Sequence, residues 1–477
     1  MTEAPATELA AALRRTHDGA VTTETVVTQL RERGINTVII GGADTHGIMR
    51  GKRVPVNRLA HLLEHGMPIC DVFWAMHVDE SDLVPRPSDH VGYFPTERNG
   101  YPDIFAVPDL CTVRPVPWHE ATALMLCDFH GQDRSPIPIS PRTVLRRVVE
   151  RAREMGIEPL CGLEFEFYVL RETDESVLER RPAELEPLHA RPSTYGVVMG
   201  SREEPLARVI RESALAFELP VEACNPETGP GQYEVTLHYE QALKAADDAF
   251  LFKTAVKELA AQQGLMATFM AKPRSDWAGN SCHVHLSLAD EGRQPVFFDA
   301  NAEHGISSVM RNFIGGMVST ANELTAIMAP TVNSYRRFTP YSWAATTATW
   351  GIDNRSTGLR AVCEREATRI EHRQAGGDVN PYLAAAAALA GGLHGVAQQI
   401  EPPQLTDADV YALPTGAVPA LPKTLDDATE RLAASQMACE WLGEDFVAHY
   451  VEMKRAECEV HRHAVTDWEV ARYLEAL

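Results

Sequence analysis

A chain of 477 residues has room for about two to three domains, and 45% hydrophobic with 23% charged residues is an ordinary globular composition. Asp and Glu number 66 against 44 Lys and Arg, a formal charge of −22; such a surface repels phosphate backbones and anionic lipid, so no nucleic acid and no membrane is expected as a partner. The nine cysteines stand singly with no CxxC pair, which argues against a disulfide frame or a zinc–thiolate site and for a reducing, cytoplasmic setting.

In chain order, residues 1–20 read as a loose helical leader without the apolar core of a signal peptide. Residues 38–40 form a buried strand running into Gly41-Gly42-Ala43-Asp44, and 69–76 a second strand. The stretch 85–117 is rich in Pro, Gly and Asp and reads as loops with short strands. A boundary near Trp118 separates a small domain, 21–117, from a larger one, 118–477. Ser140-Pro141 opens a helix that Gly156 ends. Strands then follow at 162–170, 233–238, 282–288 and 369–373. Helices follow at 203–219, 241–263, 307–328 and 381–400, and two more close the chain at about 424–442 and 444–459. The most apolar stretch, 382–397, carries His394 and falls short of a membrane span. The pattern is α+β, with long helices covering strands that bear the chemical groups.

Alternation along 162–170 turns Leu163, Phe165 and Phe167 one way and Glu164 and Glu166 the other. Adjacent carboxylates repel unless a cation lies between them, although a solvated strand face has the same pattern. His283, His285 and Ser287 share one face, which suits metal or phosphate as well as it suits a polar surface. Glu227 and Glu234 flank a Gly229-Pro230-Gly231 loop, where backbone can approach a ligand closely or simply turn. Arg369, Glu371 and Arg373 share a face, and Arg336, Arg337, Arg355 and Arg360 form a basic stretch in an acidic protein. Arginines at such positions clamp phosphate or carboxylate, or form surface salt bridges. Together these positions supply five Glu and a His, a donor set that suits Mg²⁺ or Mn²⁺ better than zinc. Divalent ions with arginines are equipment for phosphoryl transfer. GxxxxGK[ST], GxGxxG and HExxH are all absent, so an ATP site here would not be a P-loop.

The order of motifs resembles the glutamine synthetase family, type I. Asp44-x-x-Gly47-x-x-Arg50-Gly51-Lys52 comes first, then Pro108-Asp109, Pro117-Trp118 and Gly162-x-Glu164-x-Glu166-Phe167. Gly229-x-Gly231-Gln232-x-Glu234, Lys272-Pro273 and His283-x-His285-x-Ser287 follow, and Asn333-Ser334-Tyr335-x-Arg337, Asn354-Arg355, Arg369-Ile370-Glu371 and Asn380-Pro381-Tyr382 complete the series. The resemblance implies a small N-terminal β-grasp domain, a catalytic domain with a curved antiparallel sheet, and a dodecamer of two hexameric rings. It implies ATP-driven phosphorylation of the L-glutamate γ-carboxylate and displacement of phosphate by an amine, with ATP and two or more Mg²⁺ or Mn²⁺ ions per site. One ion would lie on Glu166, Glu227 and Glu234, another on Glu164, His283 and Glu371. Arg337, Arg373 and the Gly279 backbone match the glutamate site. Arg355 and Arg360 match phosphate-side arginines, and Glu222, Tyr239, His285 and Ser287 match the nucleotide pocket. Asp44 matches an acid given to the neighbouring subunit's site.

Three departures stand out. The family's flap acid is replaced by Trp343 in Thr339-Pro340-Tyr341-Ser342-Trp343-Ala344. Ala278 stands where an Asn contacts glutamate, and two residues are missing between Arg360 and Glu371. Trp cannot act as a base, but it can wall an apolar pocket or cover an alkylammonium. The loops Gly279-Asn280-Ser281-Cys282-His283 and Gly376-Gly377-Asp378-Val379-Asn380-Pro381 resemble the branch that makes γ-glutamyl amides of ethanolamine, polyamines or alkylamines, enzymes that commonly open amine catabolism. The expected function is therefore a glutamate–amine ligase, against a glutamine synthetase using ammonium or a non-catalytic member. Tyr411 lies where many bacterial relatives carry an adenylylated tyrosine.

Overall fold

The computed structural model describes residues 9, 23–95, 100–179, 184–414 and 416–477. All of the expected leader but Leu9 lies outside them. The first sheet has six strands: β1 (Thr37–Ala43), β2 (Met49–Pro55), β3 (Met67–Cys70), β4 (Asp103–Pro108), β5 (Arg114–Pro115) and β6 (Thr122–His130). Their order is β2-β1-β6-β4-β3, with β5 also on β6. The central strands β1 and β6 are apolar on both faces because both are covered. Val38, Ile40, Ala123, Met125 and Phe129 meet helices Thr23–Glu32 and Leu59–His65, while Ile39, Leu124 and Leu126 join the main core. β6 follows the boundary expected near Trp118, so this sheet takes in residues beyond it. The strand expected over 69–76 stops at Cys70. A 3-10 turn, Asp71–Ala75, then buries Phe73 and Trp74 against Phe129, since a short apolar run carries no period to separate strand from turn.

The second sheet has nine strands: β7 (Ile157–Leu170), β8 (Val221–Pro226), β9 (Gln232–Leu237), β10 (Glu240–Gln241), β11 (Met266–Thr268), β12 (Cys282–Asp290), β13 (Trp350–Ile352), β14 (Leu359–Val362) and β15 (Arg369–His372). Their order is β13-β14-β15-β12-β7-β9-β8, with β10 and β11 also on β7. Only the β13–β14 pair is parallel. The inner face of β7 drives Leu163, Phe165 and Phe167 into a core with Phe252 and Phe269. Helices Pro141–Glu154, Ala242–Gln262 and Pro381–Gln398 cover that side, and Ser308–Met328 packs on the last of them.

The apolar stretch from 382 belongs to helix Pro381–Gln398, buried along nearly its whole length. It crosses Ser308–Met328 backbone to backbone: a Cβ on Gly316 would lie 2.5 Å from the Gly395 Cα. No helix among the described residues is long and apolar enough to span a membrane. The expected helix at 424–442 is two, Leu425–Ala433 and Gln436–Leu442, because the Ser435 hydroxyl caps a new start. A last helix, Asp467–Tyr473, was not anticipated and carries its own capping box.

A buried ion network joins the first sheet to the helices that cover the second. Arg142, in the first turn of helix Pro141–Glu154, donates to Asp109 (2.7 Å), Asp128 (2.9 Å) and Asp247 (2.9 Å). The Tyr382 hydroxyl donates to the same Asp247 at 2.7 Å.

Candidate active site

Cross-strand register assembles the polar face. Glu166 lies opposite Glu234, and Asn225 lies opposite Glu234 on its other side. Glu164 lies opposite His283, His285 opposite Glu371, and Glu371 opposite Arg360. Six strands thereby present one continuous band of carboxylate, imidazole and guanidinium.

Within it, His283 Nδ1 is 2.6 Å from Glu164 Oε1 and 3.5 Å from Glu371 Oε1, so the set Glu164, His283 and Glu371 is in contact. Glu166 Oε2 accepts the Ser281 N–H at 2.8 Å. Glu227 Oε2 accepts the Thr228 N–H at 2.9 Å, and its side chain feels the Glu166 charge. The tightest groups of donor atoms, all within 4.8 Å of one another, are Glu164–His285–Glu371 and Glu164–Glu234–His283. His285, expected beside the nucleotide, thus joins the carboxylates. It lies 3.7 Å from Glu164, and neither of its buried ring nitrogens has a hydrogen-bond partner.

The electrostatics divide the face. Burial pushes Glu234 up, and Glu164, Glu166 and Glu227 add to it. Glu227 rises by burial and the Glu166 charge. Burial also works against Glu371, but His283 and Arg373 outweigh it and hold the carboxyl at about 2. Glu164 overcomes its own burial through His283 and His285 and lies well below the usual range. Strain of this kind, with carboxylates raised by one another and an unsatisfied imidazole beside them, is what a divalent cation relieves. The residues present therefore fit Mg²⁺ or Mn²⁺.

Arginines border the acids. Arg337 is buried, donates to Gln374 O at 3.1 Å, and lays its aliphatic chain on Gly279. Arg373 pairs with Glu371 Oε1. Arg360 is held by Asp353 and, at 2.8 Å, by Glu371 Oε2. Arg355 is exposed. Glu222 and Tyr239 lie at the exposed end of β8 and after β9, with His238 Nδ1 2.5 Å from Glu222 Oε1. Ser287 continues the His283–His285 face. Asp44 is not among the residues gathered here: its buried carboxylate accepts from His46 N (2.9 Å), Ile48 N (2.9 Å) and Arg50 Nε (2.8 Å). Trp343 is 62% exposed on its loop, with φ +60°. The Ser342 hydroxyl ties that loop to the Arg337 carbonyl at 2.9 Å.

Two participants escaped sequence reasoning. Gln232 accepts from Gly229 N (2.7 Å) and donates to Gly279 O and Asn280 Oδ1 (2.9 Å each), fastening the Gly-Pro-Gly loop to the Gly279 loop. It sat inside the quoted motif without a stated role. Tyr195 is exposed, with φ +54°, and its phenol feels Glu234, Glu227, Glu164 and Arg355. No pattern in its surroundings marks it.

Residues 138–473 match the glutamine synthetase catalytic domain. The chain is 36% identical over 450 residues to the glutamate–isopropylamine ligase of a Pseudomonas species, covering 94% of this chain and 97% of that one. It is 39% identical over 446 residues to the gamma-glutamylethanolamide synthetase of Streptomyces coelicolor, 93% of each. A similar match, 38% over 446 residues, covers 92% of this chain and 84% of type-1 glutamine synthetase 2 of Dictyostelium discoideum. Among solved structures, a GmaS–ADP complex superposes with a TM-score of 0.82 at 29% identity, over 94% of this chain and 99% of that one. On the match over its catalytic domain and on these near full-length relatives, the chain belongs to the glutamine synthetase family.

Proposed function

We propose that the chain is an ATP-dependent ligase that joins the γ-carboxylate of L-glutamate to an organic primary amine through γ-glutamyl phosphate. The observation that carries this reading is Trp343, exposed on the loop tied to Arg337, where the family places an acid. The carboxylate–histidine face and its arginines are meanwhile retained. A changed amine explains that combination better than a lost reaction. The Pseudomonas and Streptomyces relatives, named for isopropylamine and ethanolamide, support it.

In this reading Arg337, Arg373 and the Gly279 backbone hold glutamate. Glu222, Tyr239 and Ser287 hold the nucleotide, with Arg355 and Arg360 on its phosphates and His285 facing it from among the carboxylates. Glu164, Glu166, Glu227, Glu234, His283 and Glu371 would hold two or more Mg²⁺ or Mn²⁺ ions. Bound there, the ions offset the charge that ATP and glutamate bring together. A γ-carboxylate oxygen bonds to the terminal phosphorus and ADP leaves. The amine nitrogen then bonds to the activated carbonyl carbon, the carbon–oxygen bond to phosphate breaks, and the nitrogen gives up a proton. Arg355, exposed beside the face, is free to take up charge on the transferred group. The full site is proposed to form in a dodecamer, with Asp44 serving a neighbouring subunit.

The test is phosphate release from ATP with glutamate, Mg²⁺ and one amine at a time, with mass spectrometry of the product. The panel is ammonium, methylamine, isopropylamine, ethanolamine, putrescine and spermidine. Turnover on an organic amine with little on ammonium is expected. Turnover mainly on ammonium would make the chain a glutamine synthetase, the second reading, which the Dictyostelium relative favours.

A further inference from the structure

Tyr411 occupies a place no substrate assignment has used. It sits on a 3-10 turn, Val410–Ala412, that Asp409 caps. That segment is stitched to the Arg355 loop: Asn354 Nδ2 donates to the carbonyls of Thr406 and Ala408, and Val410 N donates to Ser356 Oγ, each at 3.0 Å. On its other side the Tyr411 hydroxyl donates to Ala344 O at 3.0 Å, and its ring meets that of Tyr341 at 5.3 Å between centroids. Both contacts fall on the loop that carries Trp343.

That loop needs outside support. Tyr341 and Trp343 both adopt φ +60°, a left-handed backbone that side-chain-bearing residues leave unless held. The Ser342 hydroxyl bonds lie within the loop's own neighbourhood, to Thr339 O and Arg337 O. The Tyr411 bond comes from 67 residues away. The phenol also faces the glutamate arginines. Burial raises its pKa, and Arg373 and Arg337 pull against that rise, whereas Asp409 adds to it.

We infer that Tyr411 is a positioning residue for amine specificity: it pins Ala344 so that the Tyr341–Tyr411 ring pair and Trp343 form the apolar wall that receives the alkyl part of the amine. The inference rests on the amine-ligase reading. By the same bonds it links the amine wall to the loop bearing Arg355. A hydroxyl engaged with the loop backbone is also a poor acceptor for the nucleotidyl group its alignment suggested.

The experiment is steady-state kinetics on full-length Tyr411→Phe and wild type, with the amine, glutamate and ATP each varied. Tyr411→Phe keeps the ring and removes one hydrogen bond. KM for the organic amine should rise about tenfold, with KM for ATP within about twofold. The preference for organic amine over ammonium should fall about fivefold or more. Tyr411→Leu, lacking the ring, should lose more preference than Tyr411→Phe. Unchanged amine KM and preference in Tyr411→Phe would overturn the assignment. So would an equal loss for all three substrates accompanied by a lower melting temperature, since that marks a structural role. Wild type active only on ammonium would instead remove the amine-ligase reading, a result visible before any variant is made.

Discussion

Gly279→Ala tests the proposed glutamate site without replacing a charged residue. A methyl at Gly279 would lie 2.2 Å from Arg337 Cγ, 2.9 Å from its Cδ and 3.1 Å from the Ala271 carbonyl. Carbon atoms in contact prefer about 3.5–4.0 Å, so the Arg337 chain must retreat by more than about 1 Å. It cannot swing into solvent, because the residue is 2% exposed and its guanidinium is held by Gln374 O. Overpacking of this kind costs about 1–3 kcal/mol of stability, and a 1 Å misplacement of a substrate-positioning group costs up to about 100-fold in rate. With glutamate and ATP varied separately, kcat/KM for glutamate should fall about 100-fold. KM for ATP should stay within about threefold, because the atoms the added methyl presses on belong to Arg337 and Ala271 and to neither Glu222 nor Tyr239. Gly156→Ala is the control. It carries the cost of a left-handed residue, φ +73°, which Gly279 does not, but a methyl there meets nothing within 4 Å, so melting should drop slightly with glutamate kinetics intact. Gly279→Ala with an unchanged glutamate KM would show that Arg337 does not hold glutamate.

Trp343→Glu restores an acid to the loop and should raise kcat/KM for ammonium relative to the organic amine by about tenfold or more, read on the same amine panel. Relative to Glu234→Gln, metal-free wild type should lose melting temperature as pH rises from about 5 to 8, a comparison that cancels the opposite slope of His46, His372 and His449, whose imidazoles burial holds below their usual range. Burial and neighbouring carboxylates raise Glu234 and Glu227 in the folded chain, so above the ordinary carboxylate range the unfolded chain binds fewer protons and folding loses stability. Glu371, held at about 2, adds no slope there, and Mg²⁺ should shrink the difference; a difference that grows in favour of wild type as pH rises would refute the clustering. Arg142→Met removes the shared cation of Asp109, Asp128 and Asp247, leaving Asp128 to Arg146 and the buried Asp247 with only the Tyr382 hydroxyl. Breaking such a network costs about 3–5 kcal/mol, and a melting temperature within a degree of wild type would count against it.

Period-two alternation was enough to turn Glu164, Glu166, His283 and His285 onto one side of their strands, because a one-residue slip would have sent Phe165 and Phe167 to the surface. Alternation says nothing about which strands are neighbours. That Glu166 faces Glu234, and that Glu371 lies between His285 and Arg360, is set by strand pairings, the longest of which brings His285 against Glu371, far along the chain from it. The family resemblance supplied the grouping that local pattern could not, and it also mixed two kinds of residue. Asp109 and Tyr382 stand in its motif series beside Glu164 and Arg337, yet they point into the interior network around Arg142 and Asp247 rather than toward the carboxylate face. An ordered series of motifs therefore marks braces and ligands alike. The register tells them apart, since a ligand shares its sheet face with other donors and a brace meets its counter-charge in the core. The surroundings of Gln232, Tyr195 and Tyr411 were unreadable for the same reason: each meets partners that only the folded chain brings within reach. A substitution at Gln232 should accordingly lower kcat/KM for glutamate as Gly279→Ala does, because it releases the Gly279 loop on which the Arg337 chain rests, and it should also loosen Glu166, whose Oε2 lies 3.4 Å from Gln232 Nε2.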